Sequence, residues 1–231
     1  MGRPVKKKVK KFFQPPINEF DVLHKTSNST LTAGIENIKL TDMAGCRPLT
    51  GREIERVLAA FRGKYALRDR AMFLLGVLSG FRIHEILSLK VADVIDADGR
   101  VVNYITVERR HMKGARSSRT CPLHPRAGRA IVQWIQAAGL QRDDPLFASR
   151  QGGPITVCRA WGILKAAFRR AGLTGRLGTH TMRKTFAQRI HQALGGDLHK
   201  TSKALGHRNV ATTIRYLECP EVEIRKAVLS L

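Results

Sequence analysis

The stretch VVNYITVERRHMKGARSSRTCPL, residues 101–123, most narrows the folds open to this chain. Its first part, 101–107, is β-rich, and RTCPL, 119–123, can pair back on it across a basic loop. That makes a small antiparallel hairpin, with a third strand expected from 91–95. Most of what surrounds it is patterned for helices. Thr50, Gly51, Arg52 and Glu53 form a capping box, in which the hydroxyl and the carboxylate satisfy N–H groups of a first turn. Ile54, Val57, Leu58 and Phe61 then recur at helical spacing. A second helix is expected over 66–79, and a short third one carries Ile83, Ile86, Leu87 and Leu89. Asp96-Ala97-Asp98-Gly99 reads as a turn. Helical patterns return at 125–138, 154–171, 179–193, 197–205, 210–217 and 220–229. The fold class is therefore mainly α (α+β): a multi-helix domain with a small antiparallel β-sheet inserted after the third helix, and no internal repeat.

Two domains of unequal kind are expected. Residues 1–48 read as a basic, flexible N-terminal arm, with a lysine cluster (Lys6, Lys7, Lys8, Lys10, Lys11), a Pro-Pro pair and the polar stretch HKTSNSTLTAG. Such an arm can track phosphates or enter a minor groove. Residues 49–231 form the folded domain. The chain carries 41 Lys+Arg against 18 Asp+Glu, or +23. The arm holds nine basic and four acidic groups (+5), so the remaining 32 and 14 leave +18 on the folded body. Positive charge spread over several segments points to a polyanionic partner, and nucleic acid fits better than a membrane surface. The longest apolar run, AMFLLGVLSGF at 71–81, is shorter than the roughly 20 residues a bilayer requires. MGRPVKKKVKKFF lacks the apolar core of a signal peptide. Cys46, Cys121, Cys158 and Cys219 are far apart with no CxxC pair, which reads as reduced thiols in an intracellular protein.

Several residues can carry chemistry. Arg82, in GFRIHEILSL, follows an apolar run and needs an anionic partner; Glu85, three residues on, can hold it. A guanidinium so held can give two hydrogen bonds to a phosphate. In THTMRKTFAQ, His180 and Arg183 share a helix face, with Thr179 as the expected N-cap. Lys113 stands in the basic hairpin loop, where Arg109, Arg110, Arg116 and Arg119 are equally placed by composition. In LGHRNVATTIRYLE, His207 precedes Tyr216 by nine residues. A Tyr hydroxyl titrates near pH 10 and is a poor nucleophile. Beside fixed cations and a phosphodiester it becomes a better one. No carboxylate cluster has metal-ligand spacing and no P-loop pattern occurs, so neither metal nor ATP is expected. Two arginines, a lysine, two histidines and a tyrosine are jointly an inventory for cutting a phosphodiester.

With these motifs in order, the sequence resembles the tyrosine recombinases of the phage integrase family over about 49–220. GFRIHEILSLKVADV is similar to the first family box, RHMKGARSSRTCPL to the hairpin with the family lysine, THTMRKTFA to the His-x-x-Arg box and GGDLHKTSKALGHRNVATTIRYLE to the last. The resemblance implies that Tyr216 attacks the phosphodiester to give a 3′-phosphotyrosyl link. It implies that Arg82 and Arg183 clamp the non-bridging oxygens, that His207 adds a hydrogen bond and that His180 assists proton movement. Lys113 would protonate the departing 5′ oxygen. The expected partners are double-stranded DNA, three further copies of the chain in a tetramer on paired sites, and an accessory DNA-bending protein; no membrane is expected. The place of action would be the cytoplasm, on the nucleoid. Lys6, Lys7, Lys8, Arg110, Arg116 and Arg119 are expected to contact DNA. Most relatives carry a separate helical DNA-binding domain before the catalytic one, and this sequence resembles the compact members. A type IB topoisomerase shares the same chemistry and is the alternative; a non-catalytic relative is disfavoured because all six positions are filled.

Overall fold

A computed structural model describes residues 45–108, 118–207, 209–214, 216, 217, 225 and 228–230. Eight α-helices and one two-stranded antiparallel sheet are seen among them, in the order α1 Gly51–Ala60, α2 Ala66–Ser79, α3 Ile83–Leu87, β1 Tyr104–Val107, β2 Arg119–Pro122, α4 Pro125–Ala138, α5 Val157–Arg170, α6 Thr179–Ala193, α7 Leu198–Leu205 and α8 Val210–Ile214. The mainly helical class with a small sheet is thus observed. The capping box at Thr50 forms as expected: Glu53 N–H donates to Thr50 Oγ1 (3.3 Å) and Thr50 N–H to Glu53 Oε2 (2.9 Å). The strands pair Tyr104 with Pro122 and Val107 with Arg119, and their burial alternates so that Ile105, Val107 and Cys121 face inward.

Helix α2 is the centre of the fold. Ala71, Met72, Phe73, Leu74, Leu75 and Val77 are all buried, so it is apolar around nearly its whole circumference and has neighbours on several sides. It packs on α4 and α6, while α1 lies on α5. Phe73 joins Phe61 (5.8 Å between ring centres) to Phe168 (6.4 Å), both tilted in the manner aromatic pairs favour. Trp134 of α4 is buried with its indole N–H donating to the Leu146 carbonyl at 2.7 Å. None of the described helices is long and apolar enough to cross a membrane.

Four local expectations need correcting. Residues 91–95 are not a third strand: Val91–Asp93 is a 3-10 turn, and only Ile95 bridges, to Val101. The Asp93 carboxylate accepts from Lys90 N–H (2.8 Å), and that side-chain cap favours a turn over a ladder. Helix α5 begins at Val157 rather than 154, because Thr156 caps it (Arg159 N–H to Thr156 Oγ1, 3.1 Å) and Pro154 bridges to Ala148. Helix α8 ends at Ile214. The N-cap of α6 is Gly178, not Thr179; the hydroxyl that closes that turn belongs to Thr181, which accepts from Gly178 N–H at 3.1 Å. The helix expected over 220–229 lies mostly outside the described residues.

Candidate active site

Helix α2 stops at Gly80, whose left-handed conformation (φ 62°, ψ 20°) turns the chain so that Phe81 is buried and Arg82 begins α3. Glu85 is fully buried and holds Arg82 twice: it accepts from the Arg82 backbone N–H at 2.7 Å and from its guanidinium at 2.9 Å. One carboxylate therefore caps the short helix and aims the arginine, as the spacing had implied. The Arg82 side chain keeps 33% of its surface open, so its far edge faces solvent.

Arg183 arrives from α6. It can do so because α6 crosses α2 where α2 has no side chains. A Cβ on Gly76 would lie 2.5 Å from Met182 Sδ, and one on Gly80 would lie 2.3 Å from Phe186 Cδ1. Two glycines four apart, Gly76 on α2 and Gly80 at its C-cap, thus receive two large residues four apart on α6. The close approach sets Arg183, the neighbour of Met182, beside the end of α2. Its guanidinium donates to the carbonyl oxygens of Gly80 and Leu205, the latter at 2.8 Å, and its Nη2 also reaches His207 Nε2 at 2.8 Å.

His207 follows the left-handed Gly206 that ends α7. Arginine can only donate, so Nε2 accepts from Arg183 and the ring proton sits on Nδ1, aimed at Thr213 Oγ1 2.9 Å away. Thr213 is completely buried. The same residue's carbonyl accepts from Tyr216 N–H at 2.9 Å, which makes the turn that brings the phenol back. The half-buried Tyr216 ring lies 5.2 Å from the His207 ring and 5.6 Å from the Arg183 guanidinium. His180 is exposed in the first turn of α6.

The electrostatics match this crowding of cations. Burial, then the charges of Arg82 and Arg119, lower the Arg183 pKa to about 10, so it remains a cation at neutral pH. Burial, then the charges of Arg183, Arg82 and Arg119, depress His207 to about 4, which keeps the imidazole neutral. His180, although exposed as a whole, is lowered as well, by partial loss of solvent around its ring and then by the charges of Arg183 and Arg82. The site favours whatever brings negative charge into it.

Five of the six residues expected to do chemistry, and the supporting Glu85, are among the described residues. Arg183, His207 and Tyr216 converge through the hydrogen bonds and ring contacts above, and Arg82 is close enough for its charge to act on both Arg183 and His207. His180 is set one helical turn before Arg183. Lys113 lies outside the described residues, as do Lys6, Lys7, Lys8, Arg110 and Arg116 of the expected DNA surface. Arg119 is described and is not on a surface. It is 6% exposed, donates to the carbonyls of Ser79 (2.7 Å), Gly80 (3.3 Å) and Ala204 (2.8 Å), and stacks on Phe81. A run of basic residues reads as a solvated loop, but Arg119 already belongs to β2 and its side chain points inward. Thr213 and Gly80 were not anticipated as parts of the site. Thr213 has only its place in a Thr-rich stretch to mark it, and Gly80 only the break it makes between two helices.

The model of the phage integrase family matches residues 47–221. Among curated relatives, the chain is 29% identical over 191 residues to tyrosine recombinase XerC of Xylella fastidiosa, an alignment covering 78% of this chain and 62% of that protein. It is 30% identical over 179 residues to the type 1 fimbriae regulatory protein FimE of Escherichia coli, covering 75% of this chain and 86% of FimE. The chain thus spans under two thirds of the XerC length and most of the FimE length. The crystal structure of XerA recombinase superposes with a TM-score of 0.67 at 22% identity, over 82% of this chain and 65% of XerA. XerH site-specific recombinase, bound to a palindromic difH substrate after cleavage, superposes at 0.64 with 24% identity, over 84% of this chain and 56% of that one. These two likenesses speak for the fold. The matched interval opens at Arg47, on the lead into α1, and closes just beyond Tyr216. It takes in every described helix and every residue of the convergent cluster, and the chain belongs to the phage integrase family.

Proposed function

We propose that this protein is a site-specific DNA recombinase that cuts and rejoins double-stranded DNA through a 3′-phosphotyrosyl intermediate, with Tyr216 as nucleophile. The observation that carries the reading is the placement of the Tyr216 ring against both Arg183 and His207 of its own chain. A phenol in that place meets the fixed Arg183 cation, which stabilises both its ionised form and the charge that gathers on a five-coordinate phosphorus, beside an imidazole that is neutral until negative charge arrives. The likeness to XerC and FimE supports the same reading.

In the cutting step the Tyr216 oxygen bonds to phosphorus, the bond from phosphorus to the 5′ oxygen breaks, and a proton passes to that oxygen. Lys113 supplies this proton, and His180 accepts the one leaving the phenol. Arg82 and Arg183 hold the non-bridging oxygens. His207 donates to the phosphate through Nε2 once it has gained a proton there, which the incoming negative charge favours. Rejoining is the reverse, with the 5′ hydroxyl of another strand as attacker. One phosphodiester replaces another, so the chemistry requires neither ATP nor metal. Four copies on paired sites, with an accessory DNA-bending protein, complete the exchange, and the work is done on the nucleoid in the cytoplasm. The basic arm, 1–48, adds phosphate contacts through Lys6, Lys7 and Lys8 to those of the catalytic domain, 49–231, where Arg110 and Arg116 flank Lys113.

The test is covalent capture. The full chain is incubated with a pool of nicked duplexes of random sequence, quenched in detergent, and the protein-linked DNA is sequenced. The wild-type chain is expected to yield a linked 3′ end at a recurring sequence, and Tyr216→Phe none while still retaining DNA on a filter. An adduct that persists in Tyr216→Phe overturns the nucleophile assignment. The absence of any wild-type adduct overturns the reading as a whole. Relaxation of a supercoiled plasmid without recombinant product assigns the chain to the topoisomerase class instead.

A further inference from the structure

We propose that Arg119 is a positioning residue for the phosphate clamp, setting Arg183, His207 and the Arg82–Glu85 pair in one register without touching the substrate. This rests on the recombinase reading and deepens it.

The case begins with what a buried guanidinium requires. Arg119 sits on the first residue of β2, is 6% exposed, and is surrounded by groups that deliver the site. Its Nη2 donates to the Ser79 carbonyl at 2.7 Å and to the Ala204 carbonyl at 2.8 Å, and its Nη1 to the Gly80 carbonyl at 3.3 Å. Ser79 and Gly80 are the end of α2, three and two residues before Arg82. Ala204 is in the last turn of α7, three residues before His207. The third acceptor matters most, because the Gly80 carbonyl also accepts from Arg183. Two guanidinium groups from different elements thus share one oxygen, and moving one moves the acceptor of the other. Glu85 Oε2 lies 3.9 Å from Arg119 Nη1, so the carboxylate that aims Arg82 also faces Arg119.

The packing around it is equally committed. The guanidinium carbon stands 4.7 Å from the centre of the Phe81 ring, between Gly80 and Arg82 in sequence. On its other flank is Gly206, where a Cβ would come within 2.8 Å of Arg119 Cδ. The glycine before His207 is therefore needed twice, for its left-handed backbone (φ 64°) and for the room it leaves Arg119. A planar fork with five donors can tie three carbonyls at once, whereas an ammonium is a point and an amide has only two hydrogens to give.

The experiment compares Arg119→Gln and Arg119→Lys with wild type in single-turnover adduct formation, using a nicked duplex with the sequence recovered in the covalent capture, at saturating protein. Retention of the same duplex and thermal melting are measured alongside. The expected result is a fall of about 100-fold in adduct formation in both variants, the scale on which an ångström of misplacement acts, with retention unchanged. In the pH dependence of the rate, Arg119→Gln is expected to move upward the limb on which activity falls with rising pH, since His207 acts once protonated and one positive neighbour that opposes its protonation is gone, while Arg119→Lys leaves it in place. Adduct formation that falls no further than retention or folded fraction overturns the inference. So does full rescue by lysine, which would make charge alone the contribution. If neither variant folds, Arg119 is a pillar of the fold only and the inference is likewise overturned. Wild-type protein that forms no adduct on this duplex would instead sink the recombinase reading, which keeps the two failures apart.

Discussion

Replacing Gly80 with alanine tests the close crossing on which the site is built. Two costs are legible. Gly80 has φ 62° and ψ 20°, a left-handed conformation that costs an L-residue with a Cβ about 1–2 kcal/mol. The new methyl would also lie 2.3 Å from Phe186 Cδ1, 2.9 Å from Cγ and 3.0 Å from Cε1. Forcing a ring aside in a packed interior typically costs about 1–3 kcal/mol. Against these, alanine reduces the freedom of the unfolded chain and returns about 0.4–1 kcal/mol. The net destabilisation expected is about 1–5 kcal/mol, or roughly 2–20 °C in Tm for a domain of this size. The assay is urea unfolding followed by circular dichroism, with an unchanged slope required so that the midpoint reports stability. Adding Phe186→Ala should separate the terms, because it relieves the overlap but not the backbone strain. The double variant should be more stable than the sum of the single changes predicts, by about 1–2 kcal/mol. A single Gly80→Ala variant within about 0.5 kcal/mol of wild type would refute the geometry, as would strict additivity with Phe186→Ala. Because the Gly80 carbonyl accepts from both Arg183 and Arg119, adduct formation should fall as well.

Three further outcomes are expected. Thr213→Val keeps the shape but removes the oxygen that faces His207 Nδ1, so the ring loses its fixed tautomer; adduct formation should drop about 10–100-fold while DNA retention holds, and an unchanged rate would show that Thr213 does not orient the histidine. His207 has a folded pKa of about 4 against an ordinary 6.5, so the unfolded chain binds its proton first; the resulting stability is complete above about pH 6.5 and is lost as the pH falls toward 4, with a slope of at most about 1.4 kcal/mol per pH unit for one proton. His207→Gln should flatten that slope in urea titrations at pH 4–7, and an identical slope in the variant would remove His207 as its source. Replacing Lys6, Lys7 and Lys8 together with alanine should lessen the slope of log affinity against log salt by up to about 2.7, at about 0.9 for each phosphate no longer neutralised; an unchanged slope means these three lysines neutralise none.

Much of this protein is written locally. The capping box at Thr50 starts α1 because hydroxyl, carboxylate and N–H groups lie within one turn. The bounds expected for α2, α4 and α6 agree with the structure because apolar spacing and a left-handed glycine at or just past the last turn (Gly80, Gly139 and Gly195) act within a few residues. The hairpin is legible for the same reason, and so is the Arg82–Glu85 pair, whose partners are three residues apart on one short helix. The third-strand expectation at 91–95 failed on a local contest as well, which the Asp93 cap decided.

What only tertiary structure decided is which way long side chains turn and which distant groups meet. Arg119 sits at the end of a basic run, and charge alone puts it in solvent; the carbonyls that draw it inward belong to residues 39, 40 and 85 positions away. Arg183 and Gly80 are 103 residues apart, and their contact exists because glycines within α2 and at its C-cap let α6 approach. Hydrogen-bonded turns and helical periods are properties of neighbours along the chain, so sequence alone could specify them. The Arg82–Arg183–His207 cluster is a property of four segments packed around one carbonyl and one carboxylate, and its geometry came into being only when the core closed.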